Sequence, residues 1–224
     1  MPITMKSVIV ALSLFFYQFC CARQFTLMLD PAGDAKHAGR IIEDSFERGI
    51  TLQFAEKLKK YLEFNDPSLR VILTRFPGES LEPLQNASFA NRLEVDLYIS
   101  FHFYHEEAPK PELFVYYFCN DVTDSWHKSS NELLFVPYDK AHRITFSLTK
   151  KVADVLEKSL RIDRYAALFD YKGTFGIPFK PLVGIVGPAL GIEISLKKKD
   201  QWGLYLEPLM HSVFHIIEFL DKSL

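Results

Sequence analysis

The sequence predicts an α/β fold, a single domain with a mostly parallel twisted sheet and helices on both faces. Short apolar runs rich in β-branched and aromatic residues alternate with segments whose apolar residues recur every three or four positions. No repeat, low-complexity tract or obvious linker interrupts this alternation along the 224 residues. Strands and helices that alternate in this way build a parallel sheet, because each helix returns the chain to the start of the next strand.

The composition is that of an ordinary globular protein. Hydrophobic residues make up 48% of the chain, charged residues make up 24%, and the formal net charge is −2. A chain of this length can bury one substantial core. It has no long basic tract, so we expect no nucleic-acid partner.

The first 22 residues differ from the rest. Lys6 precedes a short, uncharged apolar stretch that ends at the small residue Ala22. This pattern predicts a secretory signal peptide at 1–22, a domain at 23–224 and a secreted or periplasmic location. An uncleaved anchor is the alternative, although a membrane span needs about 20 apolar residues. Once the leader is removed, Cys119 is the single remaining cysteine, so no internal disulfide is expected.

The first half of the domain predicts three strands and two helices. The run "QFTLMLD" at 24–30 ends at Asp-Pro, which is typical of a buried strand stopped by proline. From Ser45 the period changes, and one helical face collects Ile50, Phe54, Leu58, Tyr61 and Leu62. The segments that follow predict a strand at 70–75, a helix at 84–93 and a strand at 95–104.

The second half adds two strands and two helices. A strand is predicted at 112–118 and a polar loop at 119–140. The helix predicted at 142–160 directs six apolar residues inward: Ile144, Leu148, Val152, Val155, Leu156 and Leu160. A late strand at 189–196 is followed by an amphipathic helix that begins at Leu206.

Candidate catalytic residues lie where the predicted strands end. Parallel sheets bind ligands at the carboxyl ends of their strands, and these ends carry Asp30, Thr74–Arg75, Ser100–His102 and Glu193. A lone histidine in a strand is usually a core residue, but His102 is accompanied by Glu47 at a helix start and His37 in the first loop. Two imidazoles and a carboxylate, with one position open to water, form the ligand set of a catalytic zinc. Glu193 could then take a proton from that water and pass it to the leaving group.

Five short motifs follow one another along the chain: "LMLDPAG", "FERGITLQFAEKLKKYL", "VILTR", "FANRLEVDLYISFHFY" and "PALGIEISL". This order resembles the zinc-dependent N-acetylmuramoyl-L-alanine amidases, which cut the bacterial cell wall. In that family an acid opens a Glu-x-x-x-x-Leu-x-x-Ala-x-x-Leu helix, a Ser-x-His closes a strand, and a glutamate follows a Pro-Ala entry. The resemblance covers nearly the whole predicted domain and implies an amidase-like (phosphorylase/hydrolase-like) fold.

The resemblance also implies roles for individual residues. Glu47 matches the zinc glutamate, His102 the second zinc histidine and Glu193 the catalytic glutamate. Thr74–Arg75 and Ala90–Asn91 match positions that are structural in the family. A Zn²⁺ cofactor and a peptidoglycan or muropeptide substrate are implied as well, with cleavage between the muramic acid lactyl group and L-alanine. Substrate-binding residues are not indicated, we expect a monomer, and membrane contact is expected only through the leader.

The chain departs from the family pattern around the first zinc ligand. The family's first histidine directly follows Asp-Pro-Gly, where this chain has Gly33, and His37 comes four residues later. Asn86 stands where an arginine is expected, and Tyr104 stands where an asparagine is expected. The phenylalanine and asparagine that usually follow the catalytic glutamate are absent. These departures leave the identity of the first ligand open.

The predicted metal ligands are therefore His37, Glu47 and His102. Small neighbours let His37 bend back over the strand end, whereas Asp34, Asp30 or His105 are alternative ligands, and an incomplete site is a further alternative. His211 and His215 are four apart on the last helix, but no third ligand is near, so we expect them to face solvent.

The sequence is compatible with three functions. The first is a secreted zinc amidase of peptidoglycan. The second is a catalytically degenerate amidase-fold protein that binds cell-wall peptide or a partner protein. The third is a zinc amidohydrolase that acts on a small acylated amino acid.

Overall fold

A computed structural model of the chain describes residues 24–82, 84–120 and 136–222. The predicted signal peptide and most of the predicted polar loop at 119–140 lie outside the described residues. Among the helices that are described, none combines the length and the apolar character needed to span a membrane.

The core of the protein is a six-stranded sheet made of β1 (Thr26–Pro31), β4 (Arg70–Leu73), β5 (Leu97–His105), β6 (Glu112–Phe118), β7 (Asp170–Ile177) and β8 (Ala189–Leu196). The order of the strands across the sheet is β4-β1-β5-β8-β6-β7. The strands β4, β1, β5 and β8 run parallel, while β6 is antiparallel to β8 and parallel to β7. The predicted mostly parallel α/β sheet is therefore confirmed.

Two features of the sheet region, an edge strand and a small hairpin, were not predicted. Strand β7 lies at the sheet edge with mostly exposed or half-buried residues, and its sequence "DYKGTFGI" lacks the apolar run of a central strand. A two-residue hairpin, β2 (Ile41–Ile42) and β3 (Ser45–Phe46), links the first loop to the first helix. Its turn includes Glu43 at φ 53°. Both features are too short or too polar to give a periodic signal.

Within residues 24–82, 84–120 and 136–222, five α-helices accompany the sheet: α1 (Glu47–Asn65), α2 (Gln85–Arg92), α3 (Phe146–Leu160), α4 (Asp163–Ala166) and α5 (Leu206–Asp221). Short 3-10 helices lie at Tyr138–Ile144, Lys180–Leu182 and Gln201–Tyr205. The helix predicted at 142–160 thus begins later, at Phe146. Ile144, predicted to face inward, belongs to the preceding 3-10 helix and is 45% exposed.

The two faces of the sheet are covered unequally, and this places the candidate site. One face packs against α1, α3 and α5 in a large apolar core. The opposite face is covered by α2 and the segment 182–185, which pack on residues early in the strands, including Met28 and Tyr98. His102 and Glu193, farther along their strands, keep partial exposure. This face is therefore partly open to solvent near the carboxyl ends of β5 and β8, and we call this region the cleft.

Replacing Phe54 by alanine should destabilise the fold strongly. Phe54 is fully buried, and its ring contacts those of Phe101, Phe103 and Trp202 at centroid distances of 5.0, 5.4 and 6.3 Å. We expect the free energy of unfolding, measured in urea, to fall by about 3–5 kcal/mol because a cavity is left. Phe64→Ala, on the same helix at 83% exposure, should change it by less than about 0.5 kcal/mol. Equal losses would contradict this packing.

Candidate functional site

Three of the four predicted site residues meet at one place in the cleft. Parallel pairing of β5 with β8 sets His102 directly opposite Glu193. Glu47, the first residue of α1, is buried, and its Oε1 accepts a hydrogen bond of 3.1 Å from the Phe103 amide. The same oxygen lies 3.4 Å from His102 Nδ1. Residues separated by up to 146 positions in the printed sequence are thus neighbours in the fold.

The environment of Glu47 favours its charged form. Burial by itself raises the pKa of Glu47, but the contact with His102, the hydrogen bond from the Arg40 amide and the charge of Arg40 together outweigh it. The pKa of Glu47 therefore lies below its ordinary value. A buried carboxylate stays charged only where hydrogen-bond donors or a cation compensate its burial.

A chain of hydrogen bonds behind His102 holds its ring in place. His102 Nε2 lies 3.1 Å from Ser100 Oγ, and Ser100 donates to Asp30 Oδ2 at 2.8 Å. The other oxygen of Asp30 accepts bonds of 2.8 Å from both Thr74 Oγ1 and Asn86 Nδ2. Asp30, an alternative metal ligand in the sequence, is thus occupied as a structural acceptor. Asn86, which stands where the family pattern has arginine, is one of the donors to Asp30.

The donor chemistry of Glu47 and His102 fits a metal ion. Ser100 donates its one hydroxyl hydrogen to Asp30, so in the bond between Ser100 and His102 the donor is His102 Nε2. In a neutral imidazole the other nitrogen, Nδ1, is then an acceptor. Nδ1 then faces Glu47 Oε1 at 3.4 Å, close to the separation of about 3.3 Å between two ligands of a tetrahedral zinc. Two of the three predicted ligands would therefore hold zinc.

The third predicted ligand, His37, points elsewhere. Its side chain is 78% exposed, and Nδ1 lies 3.3 Å from Asp34 Oδ1. The His37 amide also donates to that oxygen at 2.6 Å, and its carbonyl accepts from the Asp34 amide at 2.8 Å. Within the described ranges, no group of three or more His, Cys, Asp or Glu residues is arranged to hold a metal. A three-ligand site would require His37 to turn away from Asp34.

Asp34 is the anchor of this first loop. Its two oxygens accept backbone hydrogen bonds from Lys36, His37 and Leu81. Burial raises the pKa of Asp34, but these hydrogen bonds prevail and lower it to about 2. The carboxylate is thus committed to the loop backbone and not directed to Glu47.

Arg40 is the cation that faces the two glutamates. Its Nη2 lies 2.5 Å from Glu193 Oε1, and its Nε lies 3.5 Å from Glu47 Oε2. The Arg40 amide donates to the same Glu47 oxygen at 3.0 Å. Tyr116 donates its hydroxyl hydrogen to Glu193 Oε2 at 2.8 Å. Burial, together with this bond, raises the pKa of Tyr116, so its hydroxyl stays protonated.

Sequence reasoning missed Arg40 and Tyr116. Tyr116 reaches Glu193 because antiparallel β6 pairs with β8, and that pairing has no local signal. A weak signal for Arg40 was the preceding Gly39, which has φ 75°. A Cβ on Gly39 would lie 2.7 Å from Glu47 Oε2, so glycine is needed for the loop to pass the carboxylate.

The remaining candidates have structural or surface positions. Arg75 donates to the carbonyls of Pro31, Ala32 and Arg48, and Asn91 bonds the 184–186 backbone, as expected of structural residues. His105 lies 3.4 Å from Glu107. On the last helix, His215 is exposed, whereas half-buried His211 bonds the Tyr165 hydroxyl. None of these side chains joins the Glu47 cluster by a contact among the described residues.

Comparisons with known proteins agree with this fold. The sequence profile described as N-acetylmuramoyl-L-alanine amidase matches residues 27–165. The catalytic domain of CwlV, an N-acetylmuramoyl-L-alanine amidase from Bacillus (Paenibacillus) polymyxa var. colistinus, is 19% identical with a TM-score of 0.63. An N-acetylmuramoyl-L-alanine amidase from Clostridium difficile is 18% identical with a TM-score of 0.64. Each match covers 88% of this chain and 98% of the other. No curated protein sequence matches significantly.

The Asp34 anchor should make stability depend on pH in the acid range. Because its folded pKa is lowered to about 2 from 3.8, ionised Asp34 stabilises the fold above 3.8, and this contribution is lost as pH falls through about 2. Asp34→Asn should lower the free energy of unfolding by about 1–3 kcal/mol near neutral pH. Its deficit against wild type should shrink in urea titrations toward pH 2. Asp154→Asn, on the exposed face of α3, is the control, and a deficit independent of pH would refute the role of the charge.

Proposed function

Because the chain belongs to the N-acetylmuramoyl-L-alanine amidase family, we propose that it hydrolyses bacterial peptidoglycan. The bond cut is the amide between the lactyl group of muramic acid and L-alanine of the stem peptide. The observation that carries this proposal is the convergence of Glu47, His102 and Glu193 in one partly open cleft. These are the residues to which the family resemblance assigns metal binding and catalysis.

The side chains of the cleft have distinct roles in the proposed reaction. Glu47 and His102 would hold zinc, and His37 would complete the set of ligands if it turned away from Asp34. Bound zinc supplies a Lewis acid that polarises the amide carbonyl and lowers the pKa of a water. Glu193 accepts a proton from the attacking water and returns it to the leaving amine, which balances the hydrolysis. Tyr116 orients the Glu193 carboxylate through its 2.8 Å hydrogen bond.

The substrate supports a location outside the cytoplasm. Peptidoglycan lies beyond the cytoplasmic membrane, and the N-terminal pattern of Lys6, an apolar stretch and Ala22 is that of a signal peptide. We therefore propose a secreted or periplasmic protein in which 1–22 is the leader and 23–224 is the amidase domain. The domain acts as a monomer in this proposal.

A second candidate function is binding without hydrolysis. Two observations favour it: Arg40 contacts Glu193 and Glu47, and His37 is bonded to Asp34. If these contacts persist when substrate arrives, the cleft recognises cell-wall peptide or a partner protein but cannot assemble three zinc ligands. The two candidates differ in metal content and in bond cleavage, and both are measurable.

Hydrolysis of purified cell-wall sacculi in the presence of zinc tests the proposal. We expect wild type to release stem peptides and Glu193→Gln to be slower by about 100-fold or more, since the proton acceptor is lost. Glu218→Gln, an exposed residue on α5, is the matched control and should stay active. An active Glu193→Gln variant would disprove the catalytic assignment. Wild-type protein that sediments with sacculi but releases no peptide would establish the second candidate.

The His37 assignment is tested by metal affinity. Removing one of three protein ligands weakens a zinc site severely, so His37→Ala should lower zinc affinity by about tenfold or more. The measurement is competition of the purified chain with a chromophoric chelator. His215→Ala, an exposed histidine on α5, is the control for loss of a surface imidazole. If His37→Ala binds zinc as tightly as wild type, His37 is not a ligand.

A further inference from the structure

We propose that Arg40 is a built-in competitor of the metal ion, because its guanidinium bridges the carboxylates of Glu47 and Glu193. The two interactions come from one side chain, with Nη2 at 2.5 Å from Glu193 Oε1 and Nε at 3.5 Å from Glu47 Oε2. This inference rests on the proposed zinc site, and it concerns what controls the occupancy of that site.

The charge balance of the cleft explains why a cation belongs there. The side chains of Glu47 and Glu193 are only 4% and 19% exposed, so water screens their charges poorly. Arg40 supplies the positive charge that the buried carboxylate of Glu47 requires. A divalent ion on the same carboxylate would lie within a few ångströms of the guanidinium, and the two cations would repel each other. Arg40 in its observed position therefore weakens zinc binding at this carboxylate.

The loop is shaped to hold Arg40 in this position. Its backbone amide donates to Glu47 Oε2 at 3.0 Å, and its carbonyl accepts from the Glu47 amide at 2.8 Å. Gly39 permits this close passage, because any Cβ there would collide with the Glu47 side chain. The backbone of Arg40 is thus fixed at the carboxylate, and only its side chain has to move.

Tyr104 provides a second support for the guanidinium. Arg40 Cζ lies 5.4 Å from the centroid of the Tyr104 ring, which is a cation–π distance. Tyr104 is also a departure from the family pattern, which has asparagine at this position. Tyr104, a departure from the family pattern, therefore contacts Arg40, the cation that neutralises Glu47 in this structure.

The Arg40 side chain can nevertheless leave the site. It is 43% exposed, so rotation toward solvent is not blocked by a covering layer. Zinc binding then includes the free energy of breaking the contacts of Arg40 with Glu193, Glu47 and Tyr104. The affinity of the wild-type chain for zinc is lowered by that amount.

Zinc titration of purified full-chain variants tests the competition. We expect Arg40→Ala and Arg40→Gln to bind zinc about tenfold or more tightly than wild type, because a nearby positive charge is removed. Arg40→Lys keeps a charge and should remain close to wild type. The control is Lys199→Ala, which removes a surface cation paired with Asp44 at 2.7 Å and should change nothing. Unchanged affinity in Arg40→Ala and Arg40→Gln would overturn the proposal, as would equal tightening in Arg40→Lys.

Two further measurements test where the zinc binds and whether the variants are folded. The double variant Arg40→Ala/His102→Ala should lose the gained affinity, and a gain that survives would place the zinc elsewhere and overturn the proposal. Added zinc should raise the thermal unfolding midpoint of Arg40→Ala more than that of wild type, since the ion replaces the lost cation. An equal rise in both proteins would contradict the competition.

The outcomes separate this inference from the proposed function. Tighter zinc binding by Arg40→Ala without hydrolysis of sacculi by any variant supports the competition and refutes the amidase activity. Hydrolysis by wild type with no change of zinc affinity in Arg40→Ala supports the activity and refutes the competition.

Discussion

The buried carboxylate of Glu47 is the constraint on which the site depends. A buried charge costs several kcal/mol unless hydrogen bonds and a counter-charge compensate it. Glu47 receives the Phe103 amide from β5, the Arg40 amide from the first loop and the contact with His102. The start of α1, the end of β5 and the first loop must therefore meet at this carboxylate. The arrangement of the cleft follows from that meeting.

Unequal covering of the sheet turns this cluster into an accessible site. The helices α1, α3 and α5 pack against most of one face, whereas α2 and the segment 182–185 cover only part of the other. Asp30 sits beneath the open part and, through Ser100, orients the ring of His102. The imidazole is thereby presented to the cleft with Nδ1 toward Glu47. His102 Nδ1 and Glu47 Oε1 then form a pair of neighbouring acceptor atoms, which is an arrangement that binds a cation.

The identity of that cation connects the two candidate functions. Family membership, together with the roles that the sequence resemblance implies for Glu47, His102 and Glu193, supports our proposal that a peptidoglycan amide is hydrolysed. Arg40 contacts the carboxylates of both Glu193 and Glu47. While these contacts last, Glu193 is paired with a cation and is less able to accept a proton from water. In our proposal both states belong to one protein, and the balance between the guanidinium and the metal decides between them. The direction of His37 is part of that balance, because the third ligand is available only when the Asp34 contact opens.

Sequence alone determined the α/β class, the central strands and the positions of Glu47, His102 and Glu193, because apolar periodicity and short motifs are local properties of the chain. Tertiary structure decided what surrounds them. Arg40 and Glu193 are 153 positions apart, and Tyr116 and Glu193 are 77 apart. Such pairs depend on strand order and on the antiparallel register of β6, which no local pattern encodes. The direction of His37 was likewise undetermined, since a loop side chain turns to whichever partner the folded backbone provides, and here that partner is Asp34.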